Sequence, residues 1–214
     1  MSYKEQIEAL ARETFTELMA KKEAYDKAES RKRDFPQRGG LVNADYQAKA
    51  ARAQADFLEA QEAWRATQRN LPGRALEQLA AIRRDYEKEM TKRFAVDPAK
   101  LDTASLELLK SGIMKPGEYS AMFNRAAQDG NITMTRMIAK YAAEAAEAAA
   151  KKYGENSPQA RELRMIGYSG NLDPAKDCMN TFDGVTEIFR RTVDNPAMIS
   201  HWDELTTQLL DMLE

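Results

Sequence analysis

The only thiol and the only imidazole in the chain belong to Cys178 and His201. A cysteine and a histidine can act as nucleophile and base when their side chains meet. The two residues lie in the last two predicted helices, so antiparallel packing of those helices would bring them together. Cys178, however, shares a helical face with Phe182 and Val185, which indicates a buried structural thiol. We therefore predict no catalytic dyad.

Acidic residues form two pairs on helix faces, Asp173 with Asp177 and Glu144 with Glu147. Such pairs bind divalent cations when a histidine or further oxygen ligands lie nearby. The sequence contains no HExxH, no EF-hand loop, no GxxxxGK and no GxGxxG, and solvated helix surfaces explain both pairs. We predict no metal site, no cofactor, no small-molecule substrate and no enzymatic activity.

Basic residues cluster in four places, and neighbouring acidic residues dilute each cluster. The chain has 20 basic and 17 acidic residues in 1–100, against 12 and 17 in 101–214, so the halves differ only mildly in charge. A sequence-independent nucleic-acid binder usually has a much stronger basic excess. Nucleic acid is therefore unsupported as a partner. The clusters are Arg31-Lys32-Arg33 with Arg38, Arg83-Arg84, Lys92-Arg93 and Arg190-Arg191.

A seam of apolar or small residues runs along the second predicted helix at alternating spacings of four and three. Its members are Tyr46, Ala50, Ala53, Phe57, Ala60, Trp64, Thr67 and Leu71. A seam of this period needs a partner helix to cover it. Either the first helix or a second copy of the chain could do so. We take Tyr46, Phe57, Trp64 and Leu71 as the predicted partner-binding residues, and oligomerisation as a hypothesis.

The first half of the chain reads as long helices. The first spans 3–33 and is followed by a turn at Phe35-Pro36-Gln37-Arg38-Gly39-Gly40. Asn43 is placed to cap the second, which extends to about Asn70. Leu71-Pro72-Gly73 then interrupts the pattern, and we predict a new helix that continues through Phe94. A kinked continuation of the second helix is the alternative.

The second half reads as shorter helices with clear start and stop signals. Capping side chains, N-terminal prolines and C-terminal glycines mark most of the ends. We predict helices over 103–111, 116–129, 131–153, 158–167, 174–194 and from 196 onward. In the last two, the predicted core stripes are Cys178, Phe182, Val185 and Phe189, then Ile199, Trp202, Leu205, Leu209 and Leu213.

No segment reads as a strand, because no alternating run is bounded by hairpin turns. The predicted class is all-α, with the domain boundary at Val96-Asp97-Pro98. Residues 1–96 are predicted to form an elongated helical hairpin or three-helix arm, and 97–214 a compact helical bundle. The segment 139–150 is rich in alanine and forms helix readily. Its small side chains suit either close packing within its own domain or docking of a partner helix.

Cellular location is predicted from the cysteine content and the N-terminus. A single cysteine fits a reducing compartment. The N-terminus is charged from its fourth residue, which does not fit a signal peptide, and no apolar run approaches the roughly 20 residues that cross a bilayer. We expect a cytoplasmic protein with no membrane association.

The stretch LDTASLELLKSGIMKPGEYSAMFNRAAQDGNITMTRMIAKYAAE, residues 101–144, resembles helical proteins encoded among the structural genes of tailed phages and prophages. The likeness lies in a Leu-Leu-x-Ser-Gly turn, then Pro-x-Glu-Tyr, then Asn-x-Thr-Met-x-Arg-x-Ile-x-Lys-Tyr. A long helical arm before a compact helical domain is also similar to phage head-assembly and scaffolding proteins. The resemblance implies virion association and brings no functional site residues with it.

These observations predict a non-enzymatic structural or assembly protein of phage type. It would act through contacts with copies of itself or with other virion proteins, by burying apolar helix faces. The alternative is an inhibitor or adaptor that uses the same surfaces to block a host protein or nucleoprotein complex. A hydrolase built around Cys178 or a carboxylate pair is the third hypothesis.

Overall fold

The computed structural model describes residues 1–36 and 43–214. These residues form eight α-helices and no strand, which confirms the predicted all-α class. Two 3₁₀ turns, Pro98–Lys100 and Pro196–His201, lie between helices. The helices are α1 (Tyr3–Asp34), α2 (Ala44–Arg93), α3 (Thr103–Ser111), α4 (Pro116–Gln128), α5 (Ile132–Tyr153), α6 (Pro158–Asn171), α7 (Pro174–Asp194) and α8 (Trp202–Asp211). The predicted turn residues 37–40, with Arg38, lie outside the described residues.

Helix starts follow the capping residues read from the sequence. The side chain of Asn43 accepts a hydrogen bond from the backbone N–H of Asp45 at 2.9 Å. Asn131 and Ser157 accept from backbone N–H groups in the first turns of α5 and α6 in the same way. Gly112 ends α3 with φ of +67°, a backbone conformation that glycine adopts without a steric penalty. The predicted ends of α3, α4, α5 and α7 are confirmed to within about a residue.

Pro72 lies inside α2, which continues without a break for 50 residues. The prediction of a new helix at this point is wrong, and the continuation of the second helix is what forms. Proline within a helix costs about 3 kcal/mol. Leu71 and Leu79, on the same face on either side of Pro72, are buried to 3% and 1% exposure, and each such burial stabilises by about 2 kcal/mol. Burial of this face offsets the cost of the proline.

Internal contacts divide the chain into two compact units. Unit 1 comprises Met1–Glu87 with Cys178–Glu214, and unit 2 comprises Lys88–Asp177. The boundaries between them fall inside α2 and inside α7. The predicted domains 1–96 and 97–214 stay a prediction, because contacts within a folded chain do not measure independent folding.

In unit 1, α1 and α2 contact one another in antiparallel order. As the chain runs along α1, its contacts move backwards along α2. The contacting pairs are Tyr3 with Tyr86, Glu17 with Arg74, Tyr25 with Phe57, and Phe35, just after α1, with Tyr46. The seam continues past its predicted end through Ala75, Leu79 and Tyr86, all of which are buried. Hairpin or coiled-coil geometry beyond these contacts stays a prediction.

Large aromatic side chains fill the core of unit 1. Phe15, Phe189 and Trp202 form a triad with ring centroids 5.2 to 5.7 Å apart, a separation at which aromatic pairs are favourable. In α7, the predicted stripe is confirmed for Phe182, Val185 and Phe189, none of which has any exposed surface. Cys178 is an exception, because it is only partly buried.

The predicted register of the last helix is partly wrong. The segment starts as a 3₁₀ turn, Pro196–His201, and only then becomes α8. A 3₁₀ turn has three residues per turn, so it shifts the phase of the following helix. Leu205 is consequently 43% exposed, while Thr206 and Leu210 are buried with Trp202. The hydroxyl of Thr206 donates to the carbonyl of Trp202 at 2.8 Å, which allows this polar residue to lie in the core.

Unit 2 is held together by close packing of α5 against α6. A Cβ atom added at Gly170 would overlap Ala139 and would lie 3.0 Å from the carbonyl oxygen of Thr135. One added at Gly167 would lie 3.1 Å from the Cβ of Ala143. The missing side chains therefore allow the helices to approach. Both glycines lie within α6, which continues to Asn171, beyond the end predicted at Gly167.

Candidate functional site: an open helix face in unit 2

The structure does not pair the two residues considered for nucleophilic catalysis. Cys178 is half-buried on α7, and His201 is exposed at the end of a 3₁₀ turn. The Nδ1 of His201 lies 3.4 Å from a carboxylate oxygen of Glu204. No contact between Cys178 and His201 is found within the described residues. Nor do these residues include a group of three or more side chains that could hold a metal ion.

The predicted acidic pairs lie at exposed positions on their helices. Glu144 and Glu147 are exposed on α5, and Asp173 and Asp177 are exposed at the start of α7. Asp173 lies 4.0 Å from the guanidinium of Arg136. This placement fits solvated helix surfaces.

Several of the basic residues form ion pairs with carboxylates of the same unit. Arg83 donates two hydrogen bonds to Asp183, at 2.7 and 3.2 Å. Arg190 and Arg191 both bind Glu187, and their hydrogen bonds lower the pKa of that carboxyl. Paired in this way, these arginines contribute little net positive surface. The prediction that nucleic acid is not a partner remains untested.

The predicted partner-binding residues are spread along α2, and one of them, Phe57, contacts Tyr25 of α1 within the same chain. Phe57 is 7% exposed and Leu71 is 3% exposed. The ammonium of Lys32 lies 3.9 Å from the ring centroid of Phe57, a cation–π contact that covers the ring. Tyr46 is half-buried and donates to the carbonyl of Pro36 at 3.1 Å, and Trp64 is half-buried. Partner binding through these four residues stays a prediction.

A groove on unit 2 exposes the other face of the alanine-rich helix α5. Ala139, Ala142 and Ala146 are fully buried in unit 2. Ala145, Ala148 and Ala149 instead line a groove with a volume of about 650 Å³. The helix thus has one covered face and one face that opens to the groove. Ala145 and Ala149 on the second face also pack partly against the core of unit 2, and larger α5 side chains, among them Tyr141 and Lys152, line the groove beside them.

The walls of the groove come from four other segments of unit 2. Leu109 contributes from α3, Pro116 and Tyr119 from α4, and Leu163 from α6. Between α3 and α4 the chain runs along the groove from Gly112 to Lys115. This loop is fixed at its end, because the carboxylate of Glu118 accepts the backbone N–H of Lys115 at 2.6 Å. Ile113, on the same loop, is 76% exposed beside the groove.

A buried phenol provides a polar group inside the groove. Tyr119 lines the groove and is only 2% exposed. Its hydroxyl has no hydrogen-bond partner among the described residues. Every fully enclosed side-chain polar atom in these residues does have a partner, so the hydroxyl of Tyr119 is not fully enclosed. The hydroxyl therefore keeps some contact with solvent, in a residue that lines the groove. Burial, together with the nearby charge of Glu144, raises the pKa of Tyr119, so the group remains a neutral donor.

Lysines dominate the charge around the groove. Lys110, Lys115 and Lys152 line it, against the single acidic residue Glu144. The whole chain has a net charge of −2, so this surface differs in sign from the average. Lys110 also contacts Glu107 at 3.2 Å, and Lys152 lies over the ring of Tyr153 at 5.0 Å. The arrangement is suited to a ligand that is apolar on one side and acidic at its edges.

Sequence reasoning identified the alanine-rich segment but missed the residues around it. The predicted partner-binding residues all lie in α2, whereas the open groove lies in unit 2. One sequence signal was available: two sets of small residues on different faces of α5, at 139/142/146 and 145/148/149. A helix with two such faces can pack on both sides. The lysines and Tyr119 gave no comparable signal, because separate segments bring them together.

None of the helices formed by residues 1–36 and 43–214 is both long enough and apolar enough to span a membrane. Comparisons with protein-family models, curated proteins and solved structures find nothing that matches the chain.

Proposed function

We propose that the protein is a non-enzymatic assembly protein of the type encoded among phage structural genes. It acts in the cytosol or in the virion, through contacts between its helices and those of other proteins. The open face of α5 is the observation on which this proposal rests. It offers small side chains at Ala145, Ala148 and Ala149, which would let a partner helix approach closely.

The resemblance to phage structural proteins supports the same proposal. The residues that carry it, 101–144, include Leu109, the loop from Gly112 to Lys115, and Tyr119, all of which line the groove. They also include Tyr141 at one end of the groove floor. If the resemblance reflects a shared role, that role would involve this part of the surface.

Complex formation with the products of neighbouring genes tests the proposal. The full chain is mixed with each purified product, and complexes are detected by size-exclusion chromatography with light scattering. We expect a stable complex with at least one capsid or packaging protein. Ala148→Arg, which fills the groove floor, should abolish that complex. Ala51→Arg is the matched control, because Ala51 is exposed on α2 and lies outside the groove.

Two results would count against the assembly role. The first is the absence of a complex with any neighbouring product, together with a strictly monomeric chain at high concentration. The second is a complex that forms equally well with Ala148→Arg, which would place the contact elsewhere. A complex only with a product of a defence or counter-defence cluster would instead favour the inhibitor hypothesis.

A further inference from the structure

We propose that the groove of unit 2 binds an acidic amphipathic helix of a partner protein. This inference rests on the proposed function and names the chemistry of the partner. The helix would lay its apolar side on Ala145, Ala148 and Ala149 and place its carboxylates beside the lysines around the groove.

The dimensions of the groove favour a helix over a small molecule. Its floor follows one face of α5 from Tyr141 to Tyr153. Twelve residue steps at 1.5 Å make this face about 18 Å long, or just over three helical turns. Since the floor carries only methyl groups at Ala145, Ala148 and Ala149, a second helix axis could lie unusually close. Tyr141, Ala145, Ala148 and Lys152 lie at the spacings of three and four that one helix presents to another.

Charge decides which kind of helix fits. Lys110 is paired with Glu107, so Lys115 and Lys152 against Glu144 leave the groove with a net positive charge. A helix with acidic edges is therefore attracted and one with basic edges is repelled. These lysines belong to three segments: Lys110 to α3, Lys115 to the loop before α4, and Lys152 to α5. Cations from separate parts of unit 2 thus line the same groove.

Tyr119 supplies a second, independent indication of a ligand. A phenol that is 98% buried usually has a hydrogen-bond partner. Tyr119 has none among the described residues; its hydroxyl is not fully enclosed, and the residue lines the groove. As a neutral donor, it can bind a carboxylate or carbonyl oxygen of the bound helix. A ligand would thus supply the hydrogen-bond partner that the described part of the chain does not.

Two synthetic peptides provide the probe. Both are 18-residue amphipathic helices with leucine along one face; one has glutamate along the edges of that face and the other has lysine. Binding to the full chain is measured by fluorescence anisotropy at low and at physiological salt. We expect the acidic peptide to bind at least tenfold more tightly than the basic one. Its affinity should fall as salt rises, because salt screens the lysines.

Single substitutions locate the binding site. Lys115→Glu should weaken the acidic peptide about fivefold. Lys100→Glu, with the same change in charge, should leave the affinity unchanged. Lys100 lies at the opposite end of α5, where its carbonyl accepts a hydrogen bond from Asn131 at 2.8 Å. Asn131 is about 15 Å along the helix from Tyr141, beyond the screening length at physiological salt.

Tyr119→Phe removes only the hydroxyl and tests the hydrogen bond. We expect about fivefold weaker binding of the acidic peptide. The helical circular dichroism should not change, because the phenol has no hydrogen-bond partner within residues 1–36 and 43–214. A Tyr119→Phe protein that binds as tightly as the unmodified chain would remove Tyr119 from the site.

Several results would overturn the proposal. Equal affinity for the two peptides would exclude selection by charge, and no binding of either would exclude a helix as the occupant. Self-association that Ala148→Arg abolishes would assign the groove to a second copy, and displacement by a fatty acid alone would assign it to a small amphiphile.

The inference and the proposed function can fail separately. If neither peptide binds but Ala148→Arg abolishes a gene-product complex, this inference is overturned and the proposed function is not. Peptide binding without any gene-product complex would support this inference but count against the proposed function.

Discussion

The two units pack their helices with different kinds of side chain: large rings in unit 1, and alanine and glycine in unit 2. Unit 1 fills its core with large rings, and Tyr86, Phe182 and Phe189 are its largest fully buried members. Unit 2 brings α5 and α6 together through Ala139, Ala143, Gly167 and Gly170, so the backbones come close and few large groups lie between them. Large side chains fill the interior of unit 1, whereas small side chains allow close helix packing in unit 2.

This difference bears on where a partner could bind. A face that packs through large side chains must match each ring to a particular cavity. A face of small side chains accepts another helix with less shape matching, and α5 has such a face on both sides. One side is covered by α6 and the other is open along Ala145, Ala148 and Ala149. The open side is therefore the stronger candidate for a contact with another protein.

The largest expected effect tests the role of the rings in unit 1. Phe189→Ala should lower the free energy of unfolding by about 4 kcal/mol, because it empties a fully buried site between Phe15 and Trp202. Leu58→Ala is the control, since Leu58 is 52% exposed and should change stability by less than about 0.5 kcal/mol. Denaturant titration followed by tryptophan fluorescence suits this test, because Trp64 and Trp202 both lie in unit 1. A loss no larger than the control's would contradict the assigned packing.

The same substitution should have opposite signs in the two units. Gly170→Ala should destabilise unit 2 by about 3 kcal/mol, because the added methyl group overlaps Ala139. Gly73→Ala on α2 should stabilise unit 1 by about 1 kcal/mol, since nothing lies within 4 Å of the new atom and alanine favours helix. Amide hydrogen exchange measured by mass spectrometry resolves both units. If Gly170→Ala stabilised unit 2, α5 and α6 could not pack as closely at Gly170 as the structure shows.

Replacement of Pro72 measures how strongly the seam of unit 1 holds α2 together. Pro72→Ala restores a backbone donor and removes the steric clash of the ring, which together should stabilise by about 3 kcal/mol. Loss of the proline also frees the unfolded chain, which subtracts up to about 1 kcal/mol. The net gain should therefore be about 2 kcal/mol, read from the fluorescence transition. A net loss would indicate that α2 needs a proline-induced break.

The smallest effect concerns pH and a helix cap in unit 2. Hydrogen bonds from the hydroxyl and backbone N–H of Ser105, and from the N–H of Ala104, lower the pKa of Asp102 below its ordinary 3.8. The folded state therefore favours the carboxylate, and this stabilisation is present above that value and is lost as pH falls below it. Asp102→Asn keeps a capping oxygen but cannot titrate. Below about pH 4, α3 should lose exchange protection more steeply in the unmodified chain than in Asp102→Asn; parallel pH profiles would contradict this.

Local signals were enough to predict most helix boundaries. The capping residues Asn43, Asp102, Asn131 and Ser157 act through their immediate neighbours in sequence, so their positions can be read directly. Pro72 and Gly167 were misread for a shared reason: each is a local breaker whose effect is overridden by contacts made by the rest of the helix. Leu71 and Leu79 hold α2 together, and Gly167 is needed for contact with Ala143 rather than for ending a helix.

The candidate site was far less accessible to sequence reasoning than the fold. Leu109, Tyr119, Ala148 and Leu163 belong to four different helices, and only tertiary packing brings them to one groove. We predicted the partner-binding residues on the seam of α2 because its periodic spacing can be read within a single segment of sequence. In the structure, Phe57 and Leu71 of that seam are buried, and the open face is on α5. A periodic pattern predicts that a face is covered but does not identify the element that covers it.

Site-specific photo-crosslinking tests most directly whether the open face of α5 is where a partner helix binds. The photo-reactive residue benzoylphenylalanine is introduced in place of Ile113, which is 76% exposed beside the groove, or in place of Leu58, which is 52% exposed on α2. Each protein is irradiated with the acidic helical peptide, and the products are mapped by mass spectrometry. We predict a crosslinked peptide from position 113 and none from position 58. Crosslinks from position 58 alone, or equally from both positions, would contradict the assignment of the groove as the binding surface.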